Sequence, residues 1–307
     1  MTENQTGSKI MVGLEVSKAS VVAVCLDPVG NVTATRRSDI DQTLASSTQV
    51  IEFIGGLKST FGHFDRVGVA VPGLVDSDGR RVAFSSHIPE HSGLDLAELI
   101  ESATGTSAVI ENDANAAAYG EFNLGAGRGS TNMFYSTLGL GVGGAFIFSG
   151  SIWRGAAGFA GEFGFVPIDE EGTRLEDAAS SANIIRRTRS RIHQDSTSSL
   201  YELNEATMTI SDIVSAAEAG DDFARLMLDR TGTYVGTAIA SVINLLNIET
   251  IVVGGEIMHA KQIMLDAINS AARELSFGPS FSATTIHAGE LGENAAAAGA
   301  ALLAKHV

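Results

Sequence analysis

The sequence predicts an α/β protein of two lobes, each built from a β-β-β-α-β-α unit. Three observations predict it. Short β-branched runs alternate with helical stretches along the whole chain. The order of elements that begins at Ile10 begins again at Asn132, a period far longer than the 20–50 residues of a solenoid repeat. The chain has 307 residues, 44% hydrophobic and 18% charged, enough for a sizeable core in one or two domains. A duplication of this kind puts a cleft between two lobes, where a ligand can be enclosed.

Each element has a local reason. Ile10–Val16 and Val21–Leu26 are apolar, β-rich runs joined by the turn Ser17-Lys18-Ala19-Ser20, and Pro28–Asn31 turns into a third strand, Val32–Arg36. Over 42–60, Leu44, Val50, Ile51, Ile54 and Leu57 recur at helical spacing. Arg66–Val71 reads as a buried strand ending at Pro72-Gly73, followed by a helix over Leu94–Thr104, a strand over Ser107–Ile110 and a helix over Ala114–Phe122. The second round gives strands at Asn132–Thr137, Ala145–Phe148 and near Ser151–Trp153, then helices near 176–190, 211–219 and 221–246. A strand at Glu249–Gly255, a helix over 259–275, a strand at Thr284–His287 and an alanine-rich helix over 294–305 complete it. The polar stretch Asp195–Thr207 reads as a loop, and the opening MTENQTGS as a loose tail. The first lobe is expected over 10–118, with the helix 294–305 packing back on it, and the second over 119–293.

Composition narrows the function. The net charge of −16 argues against a nucleic-acid partner, because proteins that bind a phosphate backbone carry basic surfaces. It leaves room for a nucleotide, which needs only a local set of N–H donors. The single cysteine, Cys25, lies inside Val21–Leu26 and reads as a core thiol. It allows neither a disulfide nor a thiolate zinc site, and a reducing, cytoplasmic setting is expected. No apolar run reaches the roughly 18 residues that span a bilayer, and the N-terminus lacks a secretory signal.

Two stretches carry chemistry. Glu111-Asn112-Asp113 stands where a strand gives way to a helix. Backbone N–H groups and the positive end of the helix can hold a carboxylate ionised there, ready to take a proton from an attacking alcohol. The same acid can simply cap the helix. Thr137–Gly144 places Gly139, Gly141, Gly143 and Gly144 between two strands. Glycines allow positive φ and close approach of the backbone to a ligand, and successive N–H groups can form an anion nest. A glycine-rich hairpin without a ligand has the same pattern.

The chain resembles the ROK (repressor, open reading frame, kinase) family of the actin-like, ribonuclease H-like sugar-kinase fold. The likeness runs from about Ile10 to Ala304. It rests on Val69–Asp76, Glu111–Ala118, Leu138–Gly144, Gly158–Gly164, Leu175–Ser180, Ile251–Gly255 and Gly292–Ala296, in this order and spacing. The resemblance implies roles. Asp113 matches the base that deprotonates the sugar hydroxyl. Gly73, Asn112, Glu162 and Glu176 match the sugar side. Glu15, Lys18 and Thr137 with Gly139–Gly144 match the phosphate loops of an ATP site that uses Mg2+. Gly254-Gly255 match the turn under the adenosine. A homodimer is also implied.

Four departures qualify this. Family kinases open with Asp-x-Gly-Gly-Thr, where this chain has Glu15-Val16-Ser17-Lys18-Ala19. The glycines and the hydroxyl are missing, as in the family's repressors, and Lys18 is either a point charge on phosphate or a solvated hairpin lysine. The family's Gly-His and zinc-binding cysteines are replaced by Gly164-Phe165 and Glu170–Leu175, so no zinc is expected. His87 stands near a position that is usually a sugar-facing asparagine; it bonds a ligand or is solvated. Family repressors carry a helix-turn-helix before the first strand, and only nine residues precede Ile10, so DNA binding by that route is not expected. Two readings follow: an ATP-dependent kinase for a hexose or amino sugar, or a non-catalytic sugar-binding sensor or regulator-like effector. A structural homo-oligomer fed by the helix 221–246 is a third. The sugar itself is not legible.

Overall fold

The computed structural model describes residues 10–203 and 205–305. The tail expected over the first eight residues lies outside them. In chain order the elements are β1 (Met11–Val16), β2 (Ser20–Leu26), β3 (Val32–Asp39), α1 (Ser46–Phe61), β4 (Arg66–Val71), β5 (Leu74–Val75), β6 (Val82–Phe84), α2 (Leu96–Thr104), β7 (Ser107–Asn112) and α3 (Asp113–Leu124). Then follow β8 (Met133–Leu138), β9 (Val142–Phe148), β10 (Ser151–Trp153), α4 (Leu175–Ala179), α5 (Ser181–Ile192), α6 (Ile210–Glu218) and α7 (Asp222–Leu246). The chain closes with β11 (Thr250–Gly254), α8 (Lys261–Leu275), α9 (Gly278–Ser282), β12 (Thr285–Ala288) and α10 (Ala295–Lys305).

The duplication is visible in the sheets. One runs β3-β2-β1-β4-β7 and the other β10-β9-β8-β11-β12, the same order in the two halves. In each, an antiparallel hairpin is followed by strands that run parallel: β1 with β4 and β4 with β7, then β8 with β11 and β11 with β12. After their first residues the central strands are apolar because both their faces are covered; β4 and β11 read Arg-Val-Gly-Val-Ala-Val and Thr-Ile-Val-Val-Gly. The edge strand β3 is mostly exposed and carries Arg36, Arg37 and Asp39, charges that discourage edge-to-edge pairing.

The chain divides into two compact units. The first holds residues up to Gly125, Ile152–Ala160 and the stretch from Asn294, and the second Ala126–Ser151 and Gly161–Glu293. The first thus runs past 118 to the end of α3, because α3 and α10 pack together: an ideal Cβ on Gly299 would stand 1.7 Å from the Ala116 carbonyl oxygen. Its core gathers Leu14, Val50, Ile54, Val69, Leu96 and Ile110, among others. The second core gathers Phe134, Leu175, Ile213, Val235, Ile251 and Ile268 with their neighbours. Cys25 is buried in β2.

Three expectations need correction. The helix near 176–190 is two helices, broken at Ser180, whose φ/ψ of −73°/153° are extended. The break is tertiary in origin: the Ser181 N–H donates to the Gly139 carbonyl at 2.8 Å instead of continuing α4. Asp195–Thr207 contains short 3-10 turns at Ser199–Glu202 and Glu205–Thr207, anchored by the buried Leu200. The glycine-rich turn is narrower than the motif, for Thr137 and Leu138 close β8, Gly143 and Gly144 belong to β9, and residues 139–141 alone make the turn.

Candidate functional site

In the first unit the parallel register of β4 and β7 sets Val71 beside Asn112, so Pro72-Gly73 and Asn112-Asp113 leave the sheet together at its carboxyl end. Open α/β sheets hold ligands at this end. Asn112, not Asp113, caps α3: its Oδ1 accepts from the Asn115 N–H at 3.0 Å. Its Nδ2 donates to the Gly73 carbonyl at 2.9 Å and to Asp113 Oδ1 at 3.1 Å. Asp113 is the first residue of α3, half-buried, and its Oδ1 also accepts the Ala114 N–H at 2.9 Å. Gly73 adopts φ 145°, and a Cβ there would stand 2.5 Å from the Phe84 carbonyl oxygen, so the turn admits only glycine.

Beneath this corner lies a pair that has no local signature in the sequence. Glu111 is 5% exposed, and its Oε1 accepts from the Asn112 N–H and from Asn115 Nδ2, each at 3.0 Å. Its Oε2 is bonded to the Arg154 guanidinium. A buried carboxylate needs such a partner. Arg154 lies 43 residues downstream.

His87 is exposed, with its Nδ1 3.4 Å from Ser86 Oγ. Its loop is fixed on both sides. Ser85 Oγ donates to the Pro72 carbonyl at 2.5 Å and accepts from the Ile88 N–H at 3.1 Å. Ser46, at the start of α1, donates its N–H to Glu90 at 2.7 Å, while its hydroxyl lies 2.7 Å from His91 Nε2.

The turn at Ser17-Lys18-Ala19 is closed on itself. The Ser17 N–H donates to the Ser20 carbonyl at 2.8 Å and the Ser20 N–H to Ser17 Oγ at 3.0 Å. Both donors are consumed within the turn, and the Lys18 side chain is exposed. Glu15 lies half-buried in β1, opposite Ala70 of β4.

In the second unit, Thr137 and Gly254 are register partners. Gly255 has φ 93°, and a Cβ there would stand 2.2 Å from the Leu138 carbonyl oxygen, so the Gly254-Gly255 turn lies directly against the end of β8. None of Gly139, Gly141, Gly143 and Gly144 has positive φ, which removes the nest geometry the motif suggested. Gly144 is there for packing: a Cβ would meet Phe163 Cβ at 2.7 Å and the Gly161 carbonyl oxygen at 2.9 Å. Gly139 differs, because a Cβ on it meets nothing nearer than Glu256 Cγ at 3.9 Å. The space beside the Gly139 Cα is therefore uncrowded, while its N–H donates to the Gly141 carbonyl at 3.0 Å and its carbonyl accepts the Ser181 N–H at 2.8 Å. Ser181 and Glu256 join this cluster, with Ser181 Oγ donating to Glu256 Oε1 at 2.6 Å. Neither belongs to a glycine motif, although Glu256 directly follows Gly254-Gly255.

Glu176 is the second residue of α4 and its Oε2 accepts the Val142 N–H at 2.9 Å, which ties it to the strand after the glycine turn. Partial burial, and then the Glu176 carboxylate beside it, push Glu162 above the ordinary carboxylate range. Phe165 lies under the Arg174 guanidinium at 4.6 Å from the ring centroid. The stretch after it is a tight turn in which Asp169 accepts the Thr173 N–H at 2.8 Å.

A two-unit α/β protein with the actin-like ATPase fold, an acid at the start of a helix in one unit and an open glycine turn in the other is the class defined by these features. The chain belongs to the ROK family, whose profile matches residues 11–307. The glucokinase of Halalkalibacterium halodurans is 35% identical over 215 residues, covering 66% of this chain and 64% of that protein, just under two thirds of its length. Among solved structures, the ROK family glucokinase of Streptomyces griseus, in complex with glucose and AMPPNP, has a TM-score of 0.86 at 26% identity over 97% of this chain and all of that one. A ROK family transcriptional regulator, homologous to the MLC protein of E. coli, has a TM-score of 0.85 at 27% identity, covering 97% of this chain and 78% of that one. Among the described residues no helix is long and apolar enough to cross a membrane.

Proposed function

We propose that this chain is an ATP-dependent kinase for a hexose or amino sugar. The observation that carries the reading is Asp113 as the first residue of α3, next to the cap Asn112, in a ROK chain with a glucokinase relative at 35% identity. Asp113 accepts the proton of the attacking sugar hydroxyl at its carboxylate. Asn112, held by the Gly73 carbonyl, orients that carboxylate and bonds a neighbouring hydroxyl. Glu162 and Glu176 accept from further hydroxyls, and the Val142 N–H fixes Glu176 for this role. The uncrowded space beside Gly139 and the turn at Gly254-Gly255 leave room for a nucleotide, with Ser181 and Glu256 beside Gly139. Bound ATP with Mg2+ supplies the transferable phosphoryl group. Such transfer asks the protein mainly for positioning and for neutralisation of charge.

One observation favours a sugar-binding sensor instead. The Ser17–Ser20 turn consumes the Ser17 and Ser20 N–H groups internally, so the opening hairpin offers a phosphate fewer donors than a glycine turn would. The test is ADP release from Mg·ATP over a panel of hexoses and N-acetylhexosamines, with Asp113→Asn as control. A kinase gives sugar-dependent ADP that the substitution cuts by about 10²–10⁴ in kcat, the usual worth of a positioned base. Sugar binding by calorimetry without ADP from any sugar would replace the kinase by the sensor.

A further inference from the structure

Helix α5 concentrates positive charge in an acidic protein. Arg186, Arg187, Arg189 and Arg191 fall within six residues of a chain that has 20 Lys and Arg against 36 Asp and Glu. Arg189 has a structural task, donating to the Met208 carbonyl at 3.1 Å. Arg187 reaches α7 at Thr231, the residue after Arg230, with Arg186 and Arg191 on either side of it in α5. Arg187 is half-buried; its Nη2 donates to the Ala178 carbonyl at 2.9 Å and to Thr231 Oγ1 at 2.7 Å, and its guanidinium lies 5.4 Å from the Tyr234 ring centroid. Its Nε and Nη1 are buried without a hydrogen-bond partner among the described residues. Burial, and then the charges of Arg191, Arg186 and Arg230, lower its pKa from the ordinary arginine value.

This arrangement is unfavourable as it stands. A buried guanidinium with two unmade hydrogen bonds lacks the compensation that burial normally requires. The usual compensation is a carboxylate, yet among the described residues none forms an ion pair with Arg186, Arg187, Arg191 or Arg230. Arg186 turns to a neutral acceptor, donating from Nε and Nη2 to Asn183 Oδ1 at 3.2 and 3.0 Å. Arg191 follows Arg187 by four residues, so the two share a face of the helix. Arg186 and Arg230 are exposed and Arg191 partly so, which opens the cluster to solvent.

We propose that Arg186, Arg187, Arg191 and Arg230 form a binding site for a small phosphate-bearing anion. The planar guanidinium fork matches phosphate oxygens in pairs, and a multiply charged phosphate answers several forks at once. Arg187 provides fixed charge from below, while the three outer arginines make the contacts. All four residues lie in the second unit, so the site stands whether or not the kinase reading holds.

The test is calorimetric titration of the full chain with sodium pyrophosphate at low and raised NaCl, beside the double variant Arg191→Gln/Arg230→Gln. Both replaced side chains are surface groups, and an unchanged Tm verifies the fold. The wild type is expected to bind pyrophosphate, more weakly as salt rises, and the variant to bind it about tenfold more weakly or worse. Nitrogen-15 spectra should show the Arg187 and Arg191 Nε–H signals moving on addition of the anion. Parallel titrations with inorganic phosphate and a hexose phosphate distinguish a simple anion from a phosphorylated metabolite as the source. Pyrophosphate binding that the variant keeps in full would belong elsewhere, at the glycine turn for example, and overturns the proposal. So does salt-sensitive self-association abolished by the variant without any pyrophosphate binding, which would assign this face to a second copy of the chain.

Discussion

Asp113 takes its position from its immediate neighbours: a β-branched run and the cap Asn112 before it, and a helix former after it. Its wider surroundings come from distant parts of the chain. Glu111 finds Arg154 across 43 residues and Ser181 finds Glu256 across 75, and no periodicity or propensity reports such pairs. Two predictions belong at this scale. Glu162 has a raised pKa, from partial burial and then from Glu176. A raised carboxyl contributes stability that is fully present below its ordinary value of 4.5 and is lost as pH rises through the raised value. Glu162→Gln removes the charge and keeps the shape. It is expected to raise Tm near neutral pH, to flatten the fall of Tm with rising pH, and to weaken sugar binding. Calorimetric scans of both proteins across the acid range check this, and equal Tm values at neutral pH would refute it. His91 behaves in the opposite sense. Burial pushes it below 6.5, only partly countered by Glu90. Its stability contribution is present above 6.5 and falls as pH drops below that, because the unfolded chain takes up a proton that the folded one refuses. The expected slope approaches about 1.4 kcal/mol per pH unit. Urea unfolding of wild type and His91→Gln at several pH values measures it, and the variant should lose that slope.

At the scale of elements, strands and amphipathic helices could be read because their periods are written in the residues. The break at Ser180 could not, since Ala178-Ala179-Ser180-Ser181-Ala182 has no breaker. It follows from the Gly139 carbonyl, 42 residues upstream, capturing the Ser181 N–H. The same limit applies to α10. Its sequence, Ala-Ala-Ala-Ala-Gly-Ala-Ala-Leu-Leu-Ala-Lys, shows a helix but not why the residues are small. Backbone contact explains it: Cβ atoms added at Gly13, Gly68 and Gly299 would stand 2.0, 1.9 and 1.7 Å from the carbonyl oxygens of Ala297, Ala300 and Ala116. The helix lies directly on β1, β4 and α3. Gly299→Ala, otherwise a helix-favouring change, is therefore expected to destabilise by at least the 1–3 kcal/mol, roughly, that overpacking costs. Gly278→Ala, where a Cβ meets nothing within 4 Å, is the control that should leave Tm nearly unchanged. If the Gly299 variant unfolds at the same urea concentration as the control, the backbone contact is not what fixes the composition of α10.

At the scale of the molecule, the repeated element order announced two similar halves, and the shared strand order realises them. Local patterns do not say where the chain crosses between halves. The second unit is made of two stretches, Ala126–Ser151 and Gly161–Glu293, while the first is assembled from three, the third of which holds α10, the last helix of the chain. Each unit has its own apolar core, and neither core draws residues from the other unit. This asymmetry has a consequence for stability. Ending the chain after Glu293 removes the helix that covers Gly13 and Gly68, and so exposes one face of β1 and β4 while leaving every residue of the second core in place. Amide hydrogen exchange of that truncated chain should show β1, β4 and β7 losing protection and β8, β9 and β11 keeping it, since local opening follows cooperative units. Calorimetry should show the transition of the second unit surviving alone. Protection lost equally from all six strands would mean that the two cores melt as one, and that stability here is a property of the whole chain and not of the unit.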